Sequence, residues 1–281
     1  MRTAYLAFSF ASSLLLLACG DNLTTPQHED YDAGSGGTAP LSCVPNLDGH
    51  IDPDELEAAL GVPASYIVSP NGKERPVNLE GDVQGGARTW DFSATDPGDG
   101  RVDLIATELT GKWYAASFPG GQFVTPIDVG GSVEGVYAHS DTALVLLGVA
   151  SAAEAPAEGQ TLLVYDTPIE LYRFPIQEGA SWISTGEVTG GTVRGLPYAG
   201  KDTYEVEVFA VGKLVLPAYT FEQTFQVRTK VTLQPSVGAS VVTRQAGFLF
   251  ECFGEVARAT SKNDEPEASF TTATELRRLG L

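Results

Sequence analysis

The chain has 281 residues, with 36 Asp or Glu against 17 Lys or Arg and a formal net charge of −19. Such an acidic surface repels phosphate backbones and anionic lipid headgroups, which argues against nucleic acid as a partner and leaves membrane contact to some other device. The length suits one large β domain or two small ones.

Arg2 supplies a positive start, and an apolar run from Ala4 leads into Leu16-Leu17-Ala18-Cys19. A positive n-region, a short apolar stretch and a small residue before the break make a secretory signal over residues 1–18. The stretch is short for a membrane span, which needs about 20 apolar residues. Its Leu-Leu-Ala-Cys ending resembles the lipobox of bacterial lipoproteins. That resemblance implies cleavage before Cys19, lipidation of the Cys19 thiol and a protein held by acyl chains, each buried methylene contributing about 0.8 kcal/mol. Gly20 follows Cys19 and Asp21 comes only after it. By similarity to Gram-negative sorting rules, this implies the outer membrane of the envelope. With Cys19 acylated, Cys43 and Cys252 remain, an even count in an oxidising compartment, and they are read as a disulfide. The competing reading is two free thiols, with Cys252 buried in a sheet.

Residues 19–42 are Gly-, Ser-, Thr- and Pro-rich, including Gly34-Ser35-Gly36-Gly37, and are expected to be a flexible tether. Segment 43–61 follows as an acidic loop and a short helix near 52–60. Asp52 fits the N-cap, Pro53 the first helical position and Glu55 a capping box, with Ile51 stapling onto Leu56 and Gly61 ending the helix. The same stretch, Asn46-Leu47-Asp48-Gly49-His50-Ile51-Asp52-Pro53-Asp54-Glu55, resembles the second part of an EF-hand or dockerin loop. The resemblance implies calcium held by Asn46, Asp48, Asp52 and Glu55. Val44 stands where that motif wants its first carboxylate, and a helix N-terminus favours the same acids without a metal.

From Val62 onward Pro and Gly punctuate short runs rich in Val, Tyr, Phe, Thr and Leu, the mark of an all-β domain. Runs at Lys112–Ser117, Gln122–Asp128, Ser132–His139 and Thr142–Val149 read as strands, with Phe118-Pro119-Gly120-Gly121 as a hairpin turn. In 221–233 apolar residues alternate with Glu222, Thr224, Gln226, Arg228, Lys230 and Thr232, predicting an antiparallel strand with one wet face. Thr272-Ala273-Thr274-Glu275 reads as a second capping box opening a C-terminal helix. The fold expected is mainly β: an antiparallel sandwich or curved half-barrel sheets, as one body or as β subdomains at 62–175 and 176–281.

Catalytic patterns are thin. The histidines are His28, His50 and His139, without an HExxH or a His-Cys cluster for zinc. A Ser-His-Asp triad would have to use His139 or His50, with no Gly-x-Ser-x-Gly elbow to place the serine. Asp96, Asp99 and Asp103 in a Gly-rich stretch read as a solvated turn. Trp113, Tyr114, Phe118, Phe123, Tyr137, Trp182 and Tyr198 read as core rather than as an exposed stacking surface.

Lys112-Trp113-Tyr114-Ala115-Ala116-Ser117-Phe118-Pro119, Leu171-Tyr172-Arg173-Phe174-Pro175 and Phe250-Glu251-Cys252-Phe253-Gly254-Glu255-Val256-Ala257 resemble stretches of uncharacterised bacterial secreted lipoproteins, a group without a function to transfer. In architecture the second half is also similar to periplasmic carriers of lipids and lipoproteins, whose curved sheets hold acyl chains. The expected function is a non-catalytic, lipid-anchored envelope protein that binds an apolar ligand or an envelope protein partner through its sheet. The alternatives are a calcium-stabilised adhesion or scaffold module and a hydrolase with an unrecognised site.

Overall fold

The computed structural model describes residues 43–70 and 72–280; the signal at 1–18, Cys19 and the tether at 19–42 lie outside the described residues. The runs of β-branched and aromatic residues form strands. In the first half these are β1 (Pro63–Val68), β2 (Arg75–Pro76), β3 (Asp82–Gln84), β4 (Ala87–Asp91), β5 (Gly100–Ile105), β6 (Thr107–Glu108), β7 (Phe123–Pro126), β8 (Val133–His139), β9 (Ala143–Ser151) and β10 (Leu162–Arg173). The second half holds β11 (Ser181–Val193), β12 (Leu196–Val215), β13 (Thr220–Pro235), β14 (Val241–Phe250), β15 (Gly254–Thr260), β16 (Thr272–Ala273) and β17 (Glu275–Leu279).

One 15-stranded sheet runs in the order β5-β1-β17-β15-β14-β13-β12-β11-β10-β9-β8-β7-β6, with β3 and β4 attached at β12 and β16 paired separately with β2. Its two end strands, β5 and β6, are separated in sequence only by Ala106. The path therefore bends round until its ends meet, giving an almost closed antiparallel barrel. Leu60 bridges to Ala106, and the Gly61 amide donates to the Ala106 carbonyl at 2.8 Å. Barrel diameter grows with strand number, and about eight strands already suffice to enclose a core of side chains.

The cross-strand register assigns the two faces. Val208, Val227, Gly247, Arg258, Arg277 and Val68 stand side by side across six strands and face inward. The intervening residues, such as Ala246, Phe248, Ala257, Ala259 and Leu276, face outward and are buried all the same. They lie under a strap that brings Leu79, Trp90, Phe92 and Phe270 onto the outer wall. A second strap around Tyr114 and Phe118 covers Val124, Val136 and Leu147. At one end of the barrel Ile51 exchanges backbone hydrogen bonds with Ile176, both at 2.9 Å. It packs with Leu56 against Trp182, Phe225 and Leu249, closing that end. The Cys43–Cys252 disulfide, spanning Cα atoms 5.5 Å apart, fastens this plug.

Several local expectations give way to non-local pairing. The segment at 52–60 is a single 3-10 turn, Pro53–Leu56, after which Glu57 is extended. The Glu55 half of the capping box forms, its carboxylate accepting the Asp52 N–H at 2.9 Å. The expected C-terminal helix is strand β17, because Glu275–Leu279 pairs with β15 on one side and β1 on the other. Lys112–Ser117 is turn and 3-10 rather than strand. β13 is long and antiparallel as expected, but part of its polar face is dry: Thr224 and Gln226 are fully buried beneath the Leu79 strap. β10 and β11, on either side of the boundary expected near Pro175, are neighbours in the same sheet.

The acidic turn is not solvated either. Arg278, 2 % exposed, donates to the Phe92 carbonyl at 3.0 Å, to the Ala94 carbonyl and to Asp99 at 2.7 Å. Arg75 joins Asp99 to Asp96, which also takes Lys73 at 2.6 Å. Burial acts to raise the Asp99 carboxyl, but the Asp96 amide, Arg278 and Arg75 outweigh it and hold it below the usual carboxylate range.

Asp99→Asn should lower stability by about 3 kcal/mol at neutral pH, because it leaves Arg278 buried without its counter-charge. The folded-state pKa of Asp99 lies below its unfolded value. The contribution is therefore present above the unfolded carboxylate range and is lost as the pH falls through the folded value. Urea unfolding midpoints of wild type and variant should differ at neutral pH and converge in acid; equal midpoints at neutral pH would contradict the clamp. The disulfide closes a sequence separation of 209 residues. Replacing both cysteines by alanine should cost about 5 kcal/mol in the same assay.

Candidate functional site

The inward face of the barrel carries an unusual amount of polar chemistry. Glu255, Arg258 and Arg277 come from β15 and β17: alternation with Ala257, Ala259 and Leu276 turns Arg258 and Arg277 inside, and the bulge between the Phe248–Ala257 and Leu249–Glu255 pairs brings Glu255 to the same face. The Glu255 carboxylate accepts Arg258 Nε at 2.8 Å through Oε2, and Arg277 Nη2 at 2.9 Å and Nε at 3.2 Å through Oε1. One carboxylate thus serves two guanidinium groups. Burial acts against the charges of Glu255 and Arg258, but the arginines still hold Glu255 below its usual range, and Glu255 holds Arg258 above its own. Tyr66 donates to the Glu255 carbonyl at 2.6 Å, and burial pushes its hydroxyl up to about 12.

Three tyrosines reach the same place from other walls. Tyr137 of β8, Tyr172 of β10 and Tyr204 of β12 all stand within electrostatic reach of Arg258. Burial raises all three phenols, so they are neutral hydrogen-bonding groups at any ordinary pH. Each is only half-buried, as is Arg258, whose side chain is 24 % exposed. Beside them runs a more apolar wall of Leu146, Ile169, Val188 and Tyr165, with Leu163 and Val149 packed against it.

Asp202 lies on that wall, 3 % exposed, and accepts the Tyr165 hydroxyl at 2.7 Å. Gly186 stands opposite it across β11 and β12, and a Cβ there would meet the Tyr165 ring at 2.7 Å. Glycine is what lets the ring lie flat against the strand. The other Asp202 oxygen, Oδ1, is buried with no hydrogen-bond partner among the described residues. Burial raises the carboxyl above its usual range.

The residues singled out for calcium are partly brought together. Asp48, His50 and Asp52 have ligand atoms within 4.8 Å of one another, with His50 placed between the two carboxylates at 3.0 and 3.3 Å. Asn46 is turned to the Asp48 amide at 2.9 Å, and Glu55 to the Asp52 amide. Glu251, which sequence spacing could not connect to this loop, accepts the Asn46 and Leu47 amides at 2.7 and 2.8 Å. It is fully buried, and its Oε1 has no partner among the described residues. Burial raises Glu55, and the charges of Glu251, Asp48 and Asp52 add to that.

His139 ends β8, tilted on Phe174 at 5.1 Å, with Nε2 buried and unpartnered among the described residues. Ser140 and Asp141 share a pocket of about 610 Å³ with it. The Ser140 hydroxyl, however, bonds to the Ala143 carbonyl and Thr142, so no nucleophile–base pair is assembled there. Of the aromatics, Tyr114, Phe118, Phe123 and Trp182 are buried. The interior charges had little signal in sequence: Arg258 alternates with the small Ala257 and Ala259, but Glu255 reaches the same face only through the bulge in β15. No helix among the described residues is long and apolar enough to cross a membrane. No family model matches the chain, and no curated protein or solved structure resembles it significantly.

Asp202→Asn should raise stability near neutral pH by about 1 kcal/mol, because it removes a buried carboxylate whose second oxygen is unpaired. The folded pKa lies above the unfolded one. The wild-type carboxyl is therefore favourable in acid and loses that advantage as the pH rises through the folded value. Thermal melts should show the variant ahead at neutral pH and level in acid; a destabilised variant at neutral pH would contradict this.

Proposed function

We propose that the protein is a lipid-anchored lipoprotein of the bacterial envelope that holds a small apolar or amphiphilic ligand inside its barrel. The observation that supports the reading is the convergence of polar groups inside the barrel: Tyr137, Tyr172, Tyr204 and Arg258 come inward from four strands and keep some accessible surface. Binding sites are concave, mainly apolar and furnished with a few convergent polar groups. The interior tyrosines and Arg258 are convergent polar groups of that kind, and Ile51, Leu56 and the disulfide plug one end of the barrel. The outward side of β12 to β14 carries Glu205, Glu207, Arg228, Lys230 and Arg244 around a groove of about 540 Å³. Such a wall suits water better than the apolar band of a membrane-spanning barrel. Membrane attachment then rests on the acyl chains at Cys19.

A calcium-stabilised module is a second reading, favoured by the buried, unpartnered Glu251 oxygen near the Asp48–His50–Asp52 group. In that case calcium would raise the melting temperature of the wild type and leave Glu251→Gln unmoved.

The full chain, exported in a Gram-negative host beside a Cys19→Ala variant, tests the main reading. Wild type should sediment with membranes, the variant should be released, and solvent extraction of either purified protein should yield an apolar small molecule in near-stoichiometric amount. A wild type that is soluble, or a protein that extracts empty and takes up no amphiphile, would overturn it.

A further inference from the structure

We infer that the barrel interior receives a singly charged oxyanion, the head of an amphiphile, at the guanidinium groups of Arg258 and Arg277. The inference rests on the ligand-holding reading above and names the chemistry of what is held.

Charge is unbalanced at this place. Glu255 carries one negative charge and is committed to two arginines, through Arg258 Nε and Nη2 and through Arg277 Nε and Nη2. Arg277 is 5 % exposed, and its Nη1 is buried without a hydrogen-bond partner among the described residues. Arg258 spends no more than two of its three nitrogens on Glu255 and keeps the accessible side-chain surface noted above. Asp202 and Glu275 do not make up the deficit. Asp202 is turned to Tyr165 and held toward its neutral form by burial. Glu275, two residues along β17, forms no ion pair with either arginine. One positive charge is left over in a place where an unpaired charge is costly.

A single negative charge on oxygen matches that surplus. Guanidinium nitrogens recognise carboxylate and phosphodiester oxygens through charge-assisted hydrogen bonds, and the Tyr137 and Tyr172 hydroxyls near Arg258 can add neutral donors. Val149 and Leu163, partly buried against the Leu146, Ile169 and Val188 core, offer the body of the ligand apolar contact. A doubly charged phosphate monoester would overshoot the charge, and a neutral alcohol would leave the arginine unsatisfied.

The test compares dodecanoate, a lysophosphatidylglycerol and dodecanol by isothermal titration of the lipid-stripped full chain. Arg258→Met and Arg277→Met serve as variants. Each leaves Glu255 paired one-to-one with the remaining arginine, so the interior charge is balanced rather than orphaned, and circular dichroism checks the fold. Wild type should bind one or both anions about tenfold or more tightly than dodecanol. That preference should shrink to about twofold in either variant while dodecanol binding holds. Preference for dodecanoate identifies a free carboxylate head, and preference for the lysolipid a phosphodiester. Equal binding of anion and alcohol by wild type, or discrimination that survives in both folded variants, overturns the oxyanion site and leaves the ligand-holding barrel standing. A stripped protein that binds none of the three, and yields none on extraction before stripping, overturns the barrel reading itself.

Discussion

Glu255 grips two arginines on neighbouring strands with one carboxylate, inside a sheet that bends back on itself. Both halves of that arrangement are needed. If the sheet were open, water would solvate the arginines and the unequal ratio would cost nothing. If the interior were packed, the surplus charge would have no room for a counter-ion and its burial would oppose folding by several kcal/mol. Closure through Ala106 places the polar cluster inside the barrel, and the proposed oxyanion would balance its charge.

The barrel is stabilised from outside as well as from within. Trp90 and Phe92 meet Phe248 edge-on at ring separations of 5.2 Å, and Arg278 ties the same strap to the sheet through two carbonyls and Asp99. With the outer wall packed in this way, the inner wall is relieved of supplying the main core. Strands that read as having one buried face in fact have two, one against a strap and one toward the lumen. That division frees inward positions for tyrosine and arginine instead of leucine.

Much of the β architecture was legible in the chain. The period of two in 221–233 and the punctuation by Gly and Pro predict long antiparallel strands, and the even cysteine count predicts the Cys43–Cys252 bridge. Other features were hidden because their causes lie far away in sequence. Thr272-Ala273-Thr274-Glu275 carries the local signal of a helix start, yet pairing of Glu275–Leu279 with β15 and β1 overrides it. Thr224 and Gln226 look like solvent-facing residues until the Leu79 strap, 147 residues before Gln226, covers them. The acids near Asp99 look like a solvated turn for the same reason: their cations, Arg75 and Arg278, are not local. The interior site is harder still, since Tyr137, Tyr172, Tyr204, Arg258 and Arg277 share no motif and meet only when the sheet closes.

The most direct measurement is a crystal structure of the lipid-stripped protein at a resolution that shows ordered solvent. The account predicts water or an anion beside Arg258 and beside Arg277 Nη1, in a lumen continuous along Tyr137, Tyr172 and Tyr204. Tyrosine hydroxyls bonded directly to both guanidinium groups, with no solvent or ligand density among them, would contradict it.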